Sequence, residues 1–215
     1  MIKVEAYTNE WAVSFEQLKE VYLAYLGGIA EVEHVGSTAV PGLDAKPVLD
    51  IDIIVQEEQY LDNVIHQLSN LGYRHLGNRG IPGREAFKRQ DNTVPHTGNG
   101  TTWPEHHLYL CLKGNAALNN HLLLRNRLRA DKTKRDEYAA LKHRLVAEDP
   151  HNMDKYVEGK TAFITSILNE EGVAPGDLAA ITQQNKAMDN IITPCSHRDY
   201  PELTNLWEAS VRATH

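Results

Sequence analysis

Residues 33–55 read EHVGSTAVPGLDAKPVLDIDIIV, and their pattern decides how the rest of the chain is organised. Segment 48–55 is apolar and β-branched apart from Asp50 and Asp52. It therefore reads as a core strand with both carboxylates on one face. Ionised carboxylates in such surroundings need a cation. Two residues of strand rise about 6.6 Å, close enough for both side chains to share a pair of Mg²⁺ ions, which two-metal sites hold roughly 3.5–4 Å apart. Mg²⁺, or Mn²⁺ in its place, is served by one or two carboxylates together with substrate phosphates.

Upstream lies His34-Val35-Gly36-Ser37-Thr38, at the end of the apolar run 29–35. Gly36 permits a tight turn. Ser37 or Thr38 can then cap a short helix whose free N–H groups and hydroxyl seat a phosphate. A Gly-Ser dipeptide alone is common in turns; followed by a strand bearing Asp-x-Asp it is far more specific. His34, just before the turn, can either orient that loop or pack beneath it.

These residues carry a family resemblance. HVGSTAVPGLDAKPVLDIDI resembles the signature of the GrpB family, a group with the nucleotidyltransferase fold related to DNA polymerase beta. EHHLYL at 105–110, the region 122–127 and Tyr156-x-x-x-Lys160 also fit, so the likeness spans about residues 7–168, roughly three quarters of the chain. It implies an α/β (α+β) fold, with a nucleotidyltransferase-like mixed β-sheet and a helical C-terminal half. It also implies Mg²⁺-dependent binding of a nucleoside triphosphate, with transfer of its nucleotidyl group to an acceptor that the sequence does not name. That pattern usually adds a third carboxylate on a later strand. Here the strand reads Glu105-His106-His107-Leu108-Tyr109, so either Glu105 or His107 stands in, His107 as metal ligand or general base.

Basic residues of the helical half close over the triphosphate in such folds, which makes Arg125, Lys142 and Lys160 candidates, with Arg84 and Lys88 approaching from the sheet. Tyr138-x-x-x-Lys142 and Tyr156-x-x-x-Lys160 repeat one arrangement, each pair on one helix face. Taken alone, such pairs are ordinarily snorkelling surface residues; the resemblance moves them to the nucleotide. The remaining histidines in helical or loop contexts, His66, His75, His121, His143 and His151, are assigned no role. GrpB-like domains also occur attached to dephospho-CoA kinases, which leaves a second reading as a non-catalytic nucleotide-binding or regulatory module.

Composition sets the outer bounds. The 215 residues carry a formal net charge of −7, which argues against broad nucleic-acid coating, and no stripe suited to reading nucleic acid argues for a polymerase. No apolar run approaches membrane-spanning length. Cys111 and Cys195 lack metal-ligand spacing, which points to a reducing cytoplasm.

Apolar periodicity predicts a helix over 9–26 with Asn9 as N-cap, a covering helix over 59–71, and strands at 73–76, 84–90 and 106–112. An exposed loop is expected over 91–104. Three helices follow, over 116–130, 134–148 and 153–170. The first domain is thus 1–171. Residues 172–188 read as a linker. Residues 189–215 resemble the opening strand and helix of a GNAT-type acetyltransferase, so the sequence is expected to stop inside a second domain that would lie in cis.

Overall fold

The protein is described from a computed structural model, over residues 1–186. Helix α1 (Glu10–Leu26) buries Trp11, Phe15, Leu18, Tyr22 and Leu26, the stripe its spacing predicts. Asn9 does not cap it through its side chain; the Thr8 hydroxyl accepts from the Glu10 N–H instead. Then come β1 (Ala30–Val35), a short 3₁₀ turn (Ser37–Ala39), β2 (Leu49–Val55), α2 (Leu61–Asn70), β3 (Tyr73–His75), β4 (Arg84–Arg89) and β5 (His106–Leu112).

The five strands form one mixed sheet in the order β1-β2-β5-β4-β3, in which only the β2–β5 pair is parallel. Alternation along β2 divides its residues. Leu49, Ile51 and Ile53 enter a core with Trp11, Leu18 and Tyr22 of α1, Val64 and Leu68 of α2, and Leu108 and Leu110 of β5. Asp50 and Asp52 point to the other face, where β1 is in register with β2 at Glu33↔Asp52 and Val35↔Asp50, and β5 at His107↔Asp50 and Tyr109↔Asp52.

That second face is served by α3 (Ala116–Ala130), α4 (Lys132–Glu148) and α5 (Met153–Glu170). Each begins at a side chain that accepts a hydrogen bond from its first turn: Asn115 from Ala117 N–H, Asp131 from Lys134 N–H and Asn152 from Lys155 N–H. Leu118 of α3 packs on Ile54 and Cys111 of the sheet. Val40 and Leu43, on the connection between β1 and β2, pack with Leu128, Tyr138 and Ile167 of the three helices. The turn carrying Gly36 and Ser37 is thereby held between sheet and helices.

Two expectations change. The loop over 91–104 is anchored as well as exposed: Val94 is fully buried, Trp103 Nε1 donates to the Pro95 carbonyl, and Arg89 Nη1 donates to the carbonyls of Trp103 and Pro104. Within 172–188, read as a linker, there is a helix α6 (Pro175–Gln184) packed along α5. Pro175 at its first turn pre-sets the helical φ, and Leu178 and Ile181 recur at helical spacing. The acetyltransferase-like segment 189–215 lies outside the described residues. Among those residues, no helix is long and apolar enough to cross a membrane.

Candidate functional site

The two aspartates meet two histidines. Asp50 Oδ1 lies 2.9 Å from His107 Nδ1 on the neighbouring strand β5, and Asp52 Oδ2 lies 2.8 Å from His121 Nδ1 on α3. Asp52 is completely buried, and its Oδ1 has no hydrogen-bond partner among the described residues. Burial works against the charge on Asp50, but the hydrogen bond and charge of His107, with His121 and Lys160 nearby, hold its pKa below the usual value. The hydrogen bond that His107 donates to Asp50 raises the pKa of His107. Burial opposes protonation of His121, yet its bond to Asp52 and the charges of both aspartates leave it raised as well.

His121 gains a role that sequence pattern does not assign it, because nothing in its helical neighbourhood distinguishes it from a surface histidine. Glu105, the rival to His107, precedes β5, is largely exposed, and faces Arg89 at 3.6 Å. It does not join the aspartates.

The Gly-Ser turn closes directly on this pair. Gly36 has φ 70°, and a Cβ there would stand 2.2 Å from Asp50 Oδ2. Glycine is required twice over, for conformation and for close approach. Gly36→Ala is expected to cost at least about 2 kcal/mol, or some 4–8 °C in melting temperature. It should also displace Asp50. A melting curve within about 1 °C of wild type, on the order of experimental error, would show that the turn relaxes freely.

Ser37 opens onto a cavity, whereas Thr38 does not. The Thr38 hydroxyl is buried and donates to the Val48 carbonyl at 3.3 Å, while His34 Nε2 lies 3.0 Å from it and the His34 ring stacks on Phe15. Thr38 is therefore an internal brace, not part of a phosphate seat, and His34 both packs beneath the loop and orients it.

The cavity has a volume of about 440 Å³ and brings together Ser37, Lys46, Asp50, His107, Tyr156 and Lys160, with Lys142 in its wall. Lys160 lies over the Tyr156 ring at 4.5 Å and Lys142 over Tyr138 at 4.7 Å, as the repeated spacing anticipates. Burial pushes Lys160 down to about 8 against the pull of Asp50. Burial, then the neighbouring Lys160 charge, pushes Lys142 to about 7. Lys142 is engaged as well, since its ammonium donates to the Asp44 carbonyl.

Lys46, on the approach to β2, belongs to this wall although the sequence does not assign it to the nucleotide; its place between the turn and the aspartate strand is the signal that could have found it. Arg125 is elsewhere. Its guanidinium is committed to Glu33 at 2.5 Å and to the His34 carbonyl at 2.8 Å, so it clamps α3 to β1. Arg84 and Lys88 line an adjacent groove over β4 rather than this cavity.

Residues 1–170 match the family model described as GrpB protein. The chain belongs to the GrpB family. Among its relatives, YqkA of Bacillus subtilis is 34% identical over 164 residues, 76% of this chain but 45% of that protein, so the chain spans less than half of that relative. A UPF0157 protein of Streptomyces coelicolor is 32% identical over 179 residues, 80% of this chain and 86% of that protein. The crystal structure of a conserved GrpB protein from Enterococcus faecalis superposes with a TM-score of 0.66 at 30% identity, covering 78% of this chain and 96% of that one. The Cid1 poly(U) polymerase with MgGTP bound reaches a TM-score of 0.51 at 16% identity, over 74% of this chain and 50% of that one. At that identity the likeness concerns the fold. The GrpB-family chain has a nucleotidyltransferase-like fold.

Proposed function

We propose that this domain binds a nucleoside triphosphate together with Mg²⁺ or Mn²⁺ in the cavity between the Gly36-Ser37 turn and α5, and transfers its nucleotidyl group to an acceptor. The observation that carries this reading is the convergence of an Asp-x-Asp strand, a glycine turn pressed against one of those aspartates, and three lysines around one cavity. Cid1 holds MgGTP on the same fold, which supports the same ligand class here.

Asp50 and Asp52 fit a divalent cation. Asp52 Oδ1 is a buried carboxylate oxygen without a partner among the described residues, and both aspartates hold imidazole rings where a cation would serve. Among the described residues, no group of three or more His, Cys, Asp or Glu side chains is arranged to hold a metal. Two carboxylates completed by phosphate oxygens is the set Mg²⁺ prefers. When bound, the metal would neutralise phosphate charge and polarise the phosphorus for attack. Ser37 would donate to a terminal phosphate. Lys46 and Lys160 would stabilise charge on departing pyrophosphate, and the Tyr156 ring would hold Lys160 in place.

Phosphate dianions beside Lys160 favour its charged form, so nucleotide binding should take up a proton near pH 8 and weaken above it. Lys160→Gln is expected to lower the affinity for Mg²⁺-nucleotide about tenfold, or about 1.4 kcal/mol. Calorimetry with each of the common triphosphates tests binding. Pyrophosphate release in the presence of a metabolite pool tests transfer. An unchanged affinity in Lys160→Gln would remove that residue from the site.

One observation favours a non-catalytic nucleotide-binding module as the second reading: β5 offers His107 and Tyr109 opposite the aspartates, and no carboxylate. Tight binding without pyrophosphate release would select it.

A further inference from the structure

The groove beside the cavity gathers positive charge. It has a volume of about 500 Å³ and is lined by Arg74, Arg79, Arg84, Lys88 and Arg89, with Glu105 as the one carboxylate among its lining residues. Five of the chain's 22 lysines and arginines thus surround one depression on a molecule of net charge −7. Arg74 and Lys88 are both exposed and directly opposed on β3 and β4, an arrangement of like charges that costs stability unless an anion lies between them. Neither makes a salt bridge among the described residues. Arg84 is held over the Tyr109 ring at 4.4 Å, and its Nε is buried without a hydrogen-bond partner among the described residues.

His107 lines both the groove and the cavity, so the two are neighbours along the sheet. Strands lie about 4.8 Å apart, which puts β4 roughly 10 Å from the aspartate strand, a distance a small molecule spans.

We propose that this groove is an anion site that seats the acceptor, and that the acceptor is a small molecule carrying two or more phosphate groups. The acceptor role rests on the nucleotidyl-transfer reading above; the anion site does not. The groove's dimensions suit a small ligand. Its aromatic surface is already occupied, with Tyr109 under Arg84 and Phe87 stacked on His75, so its rings offer no stacking platform of the kind single-stranded nucleic acid uses. In the transfer, an acceptor hydroxyl oxygen forms a bond to the α-phosphorus as the bond from that phosphorus to the bridging oxygen of the β-phosphate breaks. Pyrophosphate leaves with the electron pair, and the hydroxyl proton passes to solvent.

The test uses inorganic pyrophosphate titrated calorimetrically into the full chain with divalent cations chelated. Wild type is expected to bind it, and the double variant Arg74→Gln/Lys88→Gln, which alters two side chains outside the core, to bind at least about tenfold more weakly. With cations chelated, the un-neutralised carboxylates of Asp50 and Asp52 repel pyrophosphate from the cavity where Lys160 would otherwise meet it, so Lys160→Gln should leave this affinity unchanged, and the double variant should retain wild-type affinity for Mg²⁺-nucleotide. Absence of pyrophosphate binding in wild type overturns the proposal. So does loss in Lys160→Gln in place of the double variant, and so does a double variant that no longer binds Mg²⁺-nucleotide, which would make the groove part of the nucleotide site. If wild type binds pyrophosphate through the groove but no nucleotide, the nucleotide reading fails and the anion site stands.

Discussion

Asp50→Asn and Asp52→Asn are each expected to weaken Mg²⁺-dependent nucleotide binding by at least about 100-fold while leaving the chain folded, about 2.7 kcal/mol per variant. The cause is electrostatic. Asp52 presents a buried oxygen with no partner among the described residues, a costly arrangement that a cation relieves, and Asp50 stands against the Gly36 turn at the cavity floor. An amide at either position keeps the shape and removes the charge. Folding survives because the apolar face of β2, not its acidic face, holds the core. The histidines then become reporters: without its aspartate, each should lose the elevation of its pKa. Calorimetry with Mg²⁺-nucleotide gives the affinity, and circular dichroism confirms the fold. Wild-type affinity in both variants would reject the metal site.

Acidification is expected to unfold the protein through two other histidines. Burial lowers both His34 and His106 to about 4, from an ordinary 6.5. Between those values the unfolded chain binds protons that the folded one does not, so stability rises with pH across this window and is lost as pH falls from 6.5 towards 4. A shift of that size corresponds to about 3 kcal/mol for each residue, so about 6 kcal/mol together, against a typical total of roughly 5–15 kcal/mol. The hydrogen bonds show why. His106 Nδ1 lies 2.8 Å from the Pro104 carbonyl, to which it donates, leaving Nε2 to accept from the Tyr73 hydroxyl at 2.5 Å; protonation destroys that acceptor. His34 is sealed between Phe15 and Thr38.

The paired histidines act oppositely. His107 and His121, being raised, contribute stability that is fully present below pH 6.5 and lost as pH rises through their folded pKa values. Urea midpoints measured from about pH 7.5 to about pH 4.5 should fall on the acid side, with the slope about halved in His106→Gln. A midpoint constant over that range would show that His34 and His106 are not held neutral by the fold.

Much of the site is legible before the fold. Asp50, Asp52, Gly36 and Ser37 are close in sequence, and strand alternation together with turn chemistry suffices to place a phosphate seat near two carboxylates. The Tyr-x-x-x-Lys repeats are legible for the same reason, because helical spacing places each ring beneath its ammonium. Arg125 misleads because a basic residue on a helix looks the same whether it meets a phosphate or, as here, a glutamate on β1. Thr38 misleads because a hydroxyl beside a turn can point either way, and the buried Val48 carbonyl decides which.

Periodicity and the cost of burying charge are enough to establish the succession of strands and helices, the buried face of α1 and β2, and the presence of two aspartates that call for a cation. Which groups answer those aspartates is a matter of three-dimensional packing. His121 reaches Asp52 from 69 residues away, and His107 reaches Asp50 from 57. Packing also separates the basic residues into a cavity set with Lys46 and Lys160 and a groove set with Arg84 and Lys88. A side chain's partner depends on the register between β2 and β5 and on where α3 crosses the sheet, quantities that local spacing along one element does not contain.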